Sequence, residues 1–452
     1  LCQRDPRSKK STHAFGVREL QRHHETHMRT SIGHTPGIGL AMLPLLFACA
    51  APADETAAAR LSVERLSFPD ASERIAEHFT QVGDVIEVDD SLVLVHDVGE
   101  QSVWAVSFSE ASRAPFGRSG DGPGEYRSVA ALLRLGEDTV VIASAGPAPR
   151  LAMLTTRGLP LGSRSLELPR AASSEVVSTV FDEWPPQPSA FDRRGFLYGV
   201  RPRTPLGMEP LPLDQERQVL VRFDASLSRL DTITHVRPSG VYRGRLVAGQ
   251  LEYDLPLGPF EASDAWSVLA DGTVIVVDEQ SYAVTVYPAR GGAKAARRIP
   301  HTARLATEAM WQQYVDSARS ALLEMFKGAP GMAGGLTHAQ IRVPEAPATF
   351  PPVAADRTRR PLSDGSLLWI PVHRGIDTTR EHWDVLRADG TLTARHELPP
   401  NVRLVAVSNR YLYTAETTDD ELEVLTRVPR SAVASRGAEA ANRAREPKGS
   451  IR

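Results

Sequence analysis

Six short runs rich in β-branched and aromatic residues recur along this chain, and their spacing constrains the fold more than any other feature. They are SLVLVHD, TVVIAS, FLYGVR, TVIVVDE, SLLWIPV and YLYTAET, most of them directly after a turn signal rich in Asp, Gly or Asn. A second alternating run follows each: SVWAVSF, RLAMLTT, QVLVRFD, AVTVYPA, EHWDVLR and ELEVLTRV. Such residues favour pleated, half-buried strands, and the turn residues punctuate them. Asp90 and Asp138 lie 48 residues apart, and Asp364 and Asn409 lie 45 apart. The intervals Asp138 to Asp192, Asp192 to Asp271 and Asp271 to Asp364 are 54, 79 and 93 residues. A unit of about 45 residues with two larger insertions accounts for all five, and that is the length of a four-stranded propeller blade. TVIVV is apolar on both faces, as a strand sandwiched between two sheets should be. Radial packing gives every small sheet two such neighbours. The expectation is an all-β, six-bladed β-propeller over residues 60–430. RLSVERLSF, residues 60–68, alternates ahead of the first full unit, while the last unit shows three clear strands. This N-terminal strand is expected to complete the last blade, because a free edge is a liability.

One insertion, about 304–356, breaks the β pattern. Met310, Trp311, Tyr314, Val315, Ala318, Leu322 and Phe326 form a helical stripe, with Thr307 to cap its start and Gly328 to end it. The Gly- and Pro-rich GAPGMAGGL and VPEAPATFPPV follow. A helix with a long loop is predicted between blades four and five, either packing on one face of the disc or covering the central cavity.

The N-terminal region reads as export machinery. GIGLAMLPLLFAC, residues 37–49, is an apolar run behind Arg29. Its length suits a secretory signal and falls short of the about 20 residues that span a bilayer. Leu46-Phe47-Ala48-Cys49 resembles a bacterial lipobox, which implies acylation of the Cys49 thiol; Phe47 departs from the small residue usual there. Plain cleavage near Ala-Pro-Ala is the alternative. Met28 is the expected start of the signal, with residues 1–48 an upstream extension and signal, and 49–59 a tether. Ala50, rather than an aspartate, follows the cysteine, which points to the outer membrane under the enteric sorting rule. The remaining chain carries 45 basic and 52 acidic residues, a net charge of −7 that argues against nucleic acid as a partner. Residues 431–452 read as a disordered basic tail.

FGRSGDGPGEYRSV, residues 116–129, places four glycines around Pro123. It lacks the Gly-Lys-Ser/Thr ending of a phosphate-binding loop. Asp121 and Glu125 alone are too few oxygens for calcium. A tight connection between the first two blades is the simplest reading. The stretch resembles the signature G-x-G-x-G-P-G-E-[FY] of a bacterial family of secreted six-bladed β-propeller lipoproteins related to the NHL-type propellers. Gly120, Gly122, Pro123, Gly124, Glu125 and Tyr126 match it, with Arg118 and Ser119 in variable positions. The resemblance covers roughly residues 60–430. It implies architecture and export but no settled reaction.

Aligning the units places the end of each second strand at one mouth of the central channel. Those positions are Asp97, Ser144, Arg201, Asp278, Pro371 or His373, and Glu416. The ring they form is a candidate site for a polar ligand or a cation; the alternative is that its acids cap turns and pair with arginines. If a metal binds, Asp97, Asp278 and Glu416 are its candidate ligands. Calcium-dependent propeller lactonases set Glu, Asn and Asp around an axial metal, and this ring lacks the asparagines. His96 beside Asp97 is a candidate base or a hydrogen-bonded structural histidine. Trp184 in DEWPPQP could stack on a sugar or anchor a loop. No G-x-S-x-G, CxxC or HExxH occurs. A monomeric, lipid-anchored envelope propeller on the periplasmic face is therefore expected. It would bind a small polar ligand or an envelope protein and need no cofactor. The alternative is a calcium-dependent periplasmic hydrolase acting at the axis.

Overall fold

In the computed structural model the predicted units fold as six four-stranded blades. The structure describes residues 61–433 apart from 67, 69–71, 145–149, 167–186, 202–217, 225, 227–228, 238–242, 248–249, 256–259, 261, 294–295, 326–339, 354–359 and 374–379. The signal, Met28, Cys49, the tether, Trp184, Phe326, Gly328 and all but the start of the basic tail lie outside the described residues.

From the innermost strand outward, blade 1 is Val82–Glu87, Leu92–Asp97, Ser102–Ser107 and Ser112–Pro115. Blade 2 is Ala131–Leu135, Thr139–Ala143, Arg150–Thr155 and Pro160–Ser165. Blade 3 is Gln187–Phe191, Leu197–Arg201, Gln218–Phe223 and Leu230–Val236. Blade 4 is Asp264–Val268, Val274–Asp278, Ala283–Tyr287 and Arg297–Arg298. Blade 5 is Leu362–Ser363, Leu367–Val372, His382–Arg387 and Leu392–Glu397. Blade 6 is Val402–Val407, Tyr411–Thr417, Glu423–Pro429 and, from the other end of the sequence, Glu73–Phe79. Each innermost strand touches the innermost strands of both neighbouring blades, and that of blade 6 touches that of blade 1, so the ring closes.

The core lies between blades rather than within one. Six hydrophobic clusters fill the six gaps, one each. The two-faced reading of TVIVV is visible residue by residue. Val274 and Val276 pack toward blade 3 with Tyr198 and Leu220, whereas Ile275 and Val277 pack toward blade 5 with Leu368 and Ile370. Polar bonds cross the same gaps. The Tyr282 hydroxyl of blade 4 donates to Asp384 of blade 5 at 2.6 Å, and the Tyr413 hydroxyl of blade 6 to Glu87 of blade 1 at 2.9 Å.

An N-terminal strand closes the last blade, but it is Glu73–Phe79 and not the 60–68 stretch. Glu73–Phe79 pairs antiparallel with Glu423–Pro429, with a register irregularity between Arg74 and His78. Of the earlier stretch, Glu64–Arg65 adds a short fifth strand, parallel to Leu392–Glu397 of blade 5, and Leu66 is buried in the gap between blades 5 and 6. Alternation fits an outer strand on either blade. Burial decides: Ile75 and Phe79 are fully enclosed between blades 6 and 1.

The two large insertions meet. Arg243–Val247 and Gln250–Asp254, between blades 3 and 4, form a hairpin. Its second strand pairs in parallel with Ile341–Arg342 from the insertion between blades 4 and 5. The inserted helix, α1 (Glu308–Met325), begins where the Thr307 hydroxyl accepts the Met310 amide at 3.3 Å, a side-chain N-cap. Trp311, Val315 and Leu322 bury their faces against Leu255, Phe260, Ile341 and Phe350. This is a seventh, satellite core.

The glycine-rich loop joins blades 1 and 2. Arg118–Ser119 and Glu125–Tyr126 pair in a two-residue parallel ladder. The Tyr126 hydroxyl donates to the Phe116 carbonyl at 3.2 Å and accepts the Val103 amide at 3.0 Å. The Glu125 carboxylate accepts the Gly122 amide at 2.7 Å and pairs with Arg118. Gly124 has a φ of 77°, and a Cβ there would meet the Cβ of Pro160 at 2.5 Å. Only glycine gives both the conformation and the room.

Candidate functional site: the axial cavity

The six innermost strands enclose a cavity of about 450 Å³ on the propeller axis. Every blade contributes to its wall, through Val85, Leu133, Ala190, Trp266, Leu362 and Val405 among others. Small and apolar side chains dominate, so the polar groups that do face the cavity stand out. They are Ser263, Asp264, Glu279 and Arg360, with Ser189, Ser267 and Ser363.

Arg360 precedes the first strand of blade 5 and forms an ion pair with Asp84 of blade 1. Blades 5 and 1 are not neighbours in the ring, so this pair links two blades separated by blade 6. Asp84 also accepts the Leu132 amide of blade 2 at 2.8 Å, which holds its carboxylate in place. His96, 5% exposed, lies in the field of Asp84, Asp97 and Arg360; burial lowers its pKa below the usual 6.5 and keeps the ring neutral.

Glu279 is the unusual group. It is 1% exposed and lines the cavity. Its Oε2 accepts both the amide and the hydroxyl of Ser263, each at 2.8 Å. Its Oε1 is buried and, among the described residues, has no hydrogen-bond partner. Burial pushes the carboxyl well above its ordinary value of 4.5, and nearby Asp264 pushes the same way; the Ser263 bonds and Arg237 only partly oppose this. The Arg237 guanidinium lies 3.7 Å from Asp264 and 3.4 Å from Asp278.

The positions expected to ring the channel mouth lie at corresponding ends of their blades. Register sets Asp97 opposite Val82, Asp278 opposite Asp264 and Glu416 opposite Val402, each at the start of an innermost strand. None of the five whose side chains are described appears in the wall of the axial cavity. Asp97 accepts the amides of Thr80, Gln81, Gly99 and Glu100. Asp278 accepts those of Gln280 and Ser281. Both acids fold back to cap the turn that follows, and the turn then places Gln101 and Tyr282 in the left-handed region at φ 53° and 50°. Glu416 pairs with Arg74 at 3.1 Å. The Ser144 hydroxyl accepts the Arg150 amide at 2.8 Å, and Ser144 lines a separate pocket of about 270 Å³ with Gly120, Asp121, Glu125 and Tyr126. His373 lines a third, of about 520 Å³, with Tyr282, His301 and the start of α1. The Arg201 side chain lies outside the described residues. Among the described residues no three His, Cys, Asp or Glu side chains are grouped to hold a metal ion.

Sequence reasoning stopped one residue short of the cavity, at Asp278 rather than Glu279. The signal was present in TVIVVDE: an Asp that caps its own turn leaves the following residue to point elsewhere. No residue of α1 lines the axial cavity; the helix packs into the satellite core instead.

No family model matches the chain, and no curated protein matches it. Among solved structures it is similar to a DUF4221 family member from Bacteroides vulgatus, at 10% identity, covering 81% of this chain and 96% of that one with a TM-score of 0.43. It is also similar to a protein of Bacteroides fragilis named as exported, at 10% identity over 81% and 94% of the two chains with a TM-score of 0.39. A calcium-binding regucalcin from Agrobacterium tumefaciens gives 11% identity over 81% and 95% with a TM-score of 0.38. The six-bladed architecture rests on the strand order and the closed inner ring described above.

Proposed function

We propose that this chain is a lipid-anchored cell-envelope propeller that binds a small polar ligand in its axial cavity, without a reaction of its own. The observation that carries the reading is the cavity itself, walled by all six innermost strands and furnished with a buried carboxyl and an ion pair between blades 1 and 5. Pockets with apolar walls and a few placed polar groups are the usual form of a ligand site. Export and anchoring at Cys49 are supported by the apolar run before it and by the resemblance to secreted propeller lipoproteins.

The test is native mass spectrometry and elemental analysis of the chain from residue 50 onward, purified without chelator, beside a Ser267→Phe variant. Ser267 lines the cavity, and a phenyl ring there takes up part of its volume and narrows it. A small molecule retained by the wild type and lost from the variant is the expected result. A molecule retained equally by both overturns the axial site. One equivalent of calcium, lost on Asp278→Ala or Glu416→Ala, would replace the reading with a metal-dependent hydrolase. Incorporation of labelled palmitate, abolished by Cys49→Ala, is expected for the anchor.

A further inference from the structure

Three cavities are the features that the fold alone does not require. The pocket at the glycine-rich loop holds acids already paired with arginines, Asp121 with Arg127 and Glu125 with Arg118. The pocket beside α1 is largely apolar, with nothing to show what fills it. The axial cavity differs, because its wall offers hydrogen-bonding groups of opposite kinds and apolar surface beside them.

Both kinds lie near the start of innermost strands. Glu279 reaches the wall beside Ser263 and Asp264, where the innermost strand of blade 4 begins. Its Oε2 is taken by Ser263, and its buried Oε1 has no hydrogen-bond partner among the described residues. Arg360 enters the wall just ahead of the innermost strand of blade 5. A guanidinium carries five N–H donors, and the bond to Asp84 comes from one of its terminal nitrogens. The same cavity thus presents a carboxyl oxygen awaiting a partner and a group that can only donate. An ammonium ion donates and cannot accept, and a carboxylate accepts and cannot donate. A hydroxyl does both, so a ligand with several hydroxyls answers both groups. It also bonds Oε1 whether or not the carboxyl carries its proton, so the ligand class does not depend on how Glu279 titrates.

The remainder of the wall fits the same class. Ser267 and Ser363 add hydroxyl groups, and Trp266, Phe191 and Val268 add apolar surface. A sugar ring combines these needs, with hydroxyls around its edge and C–H groups on its faces. The cavity, about 450 Å³, falls within the about 300–1,000 Å³ usual for small-molecule sites.

We infer that the axial cavity binds a neutral monosaccharide, its hydroxyls bonded to Glu279 Oε1 and to Arg360 and its C–H faces against Trp266 and the strand walls. This rests on the reading of the axial cavity as the binding site.

Six probes test it on the chain from residue 50 onward. Glucose, galactose and mannose are neutral rings, glucosamine and glucuronate are similar rings carrying a charge, and cyclohexylmethanol is a ring with a single hydroxyl. Binding is followed by calorimetry and by the fluorescence of Trp266, with Trp266→Phe as control. At least one neutral hexose is expected to bind, with a Kd of roughly a millimolar or tighter. Glucosamine and glucuronate should bind at least about tenfold more weakly, because a buried charge needs a dedicated partner. Cyclohexylmethanol should be weaker by a similar factor, because one hydroxyl leaves Glu279 or Arg360 unanswered. Glu279→Ala, with its fold checked by circular dichroism, should weaken the best hexose roughly tenfold. Ser267→Phe should weaken it at least as much.

A charged sugar or cyclohexylmethanol binding as tightly as the best neutral hexose overturns the inference. So does hexose binding left unchanged by Ser267→Phe or by a folded Glu279→Ala; if the latter does not fold, the six probes on the wild type decide. If no hexose binds while Ser267→Phe still loses a retained molecule, the sugar inference fails and the axial site stands. If none binds and nothing is retained, both fail.

Discussion

Phe79→Ala is the sharpest test of how the ring closes. Phe79 is fully buried at the end of the closing strand, in the cluster that joins blade 6 to blade 1. The Arg113 guanidinium lies 5.0 Å from its ring centroid. Truncating a fully buried phenylalanine to alanine costs about 3–5 kcal/mol, from lost transfer energy and the cavity left behind. A domain's whole stability is about 5–15 kcal/mol, so the loss should be plain. His78 is the internal control, because it is exposed on the same strand, and His78→Ala should stay within about 0.5 kcal/mol of wild type. The assay is urea unfolding of the chain from residue 50, followed by tryptophan fluorescence and far-ultraviolet circular dichroism. An unchanged denaturant slope with a lower midpoint means a cavity in a closed ring, whereas a smaller slope means that the native ring has opened. If Phe79→Ala costs no more than His78→Ala, then Glu73–Phe79 does not close the propeller and the argument from burial is wrong.

Three further outcomes are expected. Tyr126→Phe removes the hydroxyl that ties Phe116 to Val103, leaves buried backbone groups unpaired, and should cost about 1–3 kcal/mol in the same unfolding assay. Gly124→Ala meets Pro160 in a left-handed conformation and should cost at least about 1 kcal/mol, whereas Gly136→Ala, left-handed with open space around it, should show only the backbone part of that loss. Glu279 titrates higher in the folded chain than its unfolded value of 4.5, so the stability it confers is complete below that pH and falls as pH rises through the window above it. Stability of the wild type relative to Glu279→Gln should therefore decline with rising pH across that window, by about 1.4 kcal/mol per unit of displacement, and a pH-independent difference would refute the displacement.

The blades were legible because their signal is local. Alternation and turn chemistry repeat in every unit, and a strand such as TVIVV carries both of its neighbours in its own composition. The helix was legible for the same reason, since Trp311, Val315 and Leu322 lie on one face of one segment. The closing strand was not, because two short alternating stretches, 60–68 and 73–79, compete for one edge. Only the partner surfaces, with Ile75 and Phe79 enclosed and Arg65 at a rim, separate them. The meeting of the two insertions was hidden too, because Tyr253 pairs with Ile341 across a whole blade. At the site, aligning strand ends pointed to Asp97, Asp278 and Glu416, which lie opposite Val82, Asp264 and Val402 at corresponding ends of their blades. Asp97 accepts amides of its own turn and of Thr80 and Gln81, Asp278 accepts amides of its own turn, and Glu279 shows its character only once its burial is known.

The strand that closes the ring also sets when folding can finish. The Val82 amide donates to the Glu423 carboxylate at 2.5 Å, across 341 residues of chain, and the closing ladder beside it has a similar span. Blade 6 cannot be completed until nearly the whole propeller has been delivered, and blade 1 has no partner on one side until then. For a chain proposed to cross a membrane as an extended thread, this order is useful. The first strand to arrive waits unpaired for the last, and the closed ring, which no narrow pore would pass, forms only on the far side. The seam is thus a timer for folding as much as a joint in the finished disc.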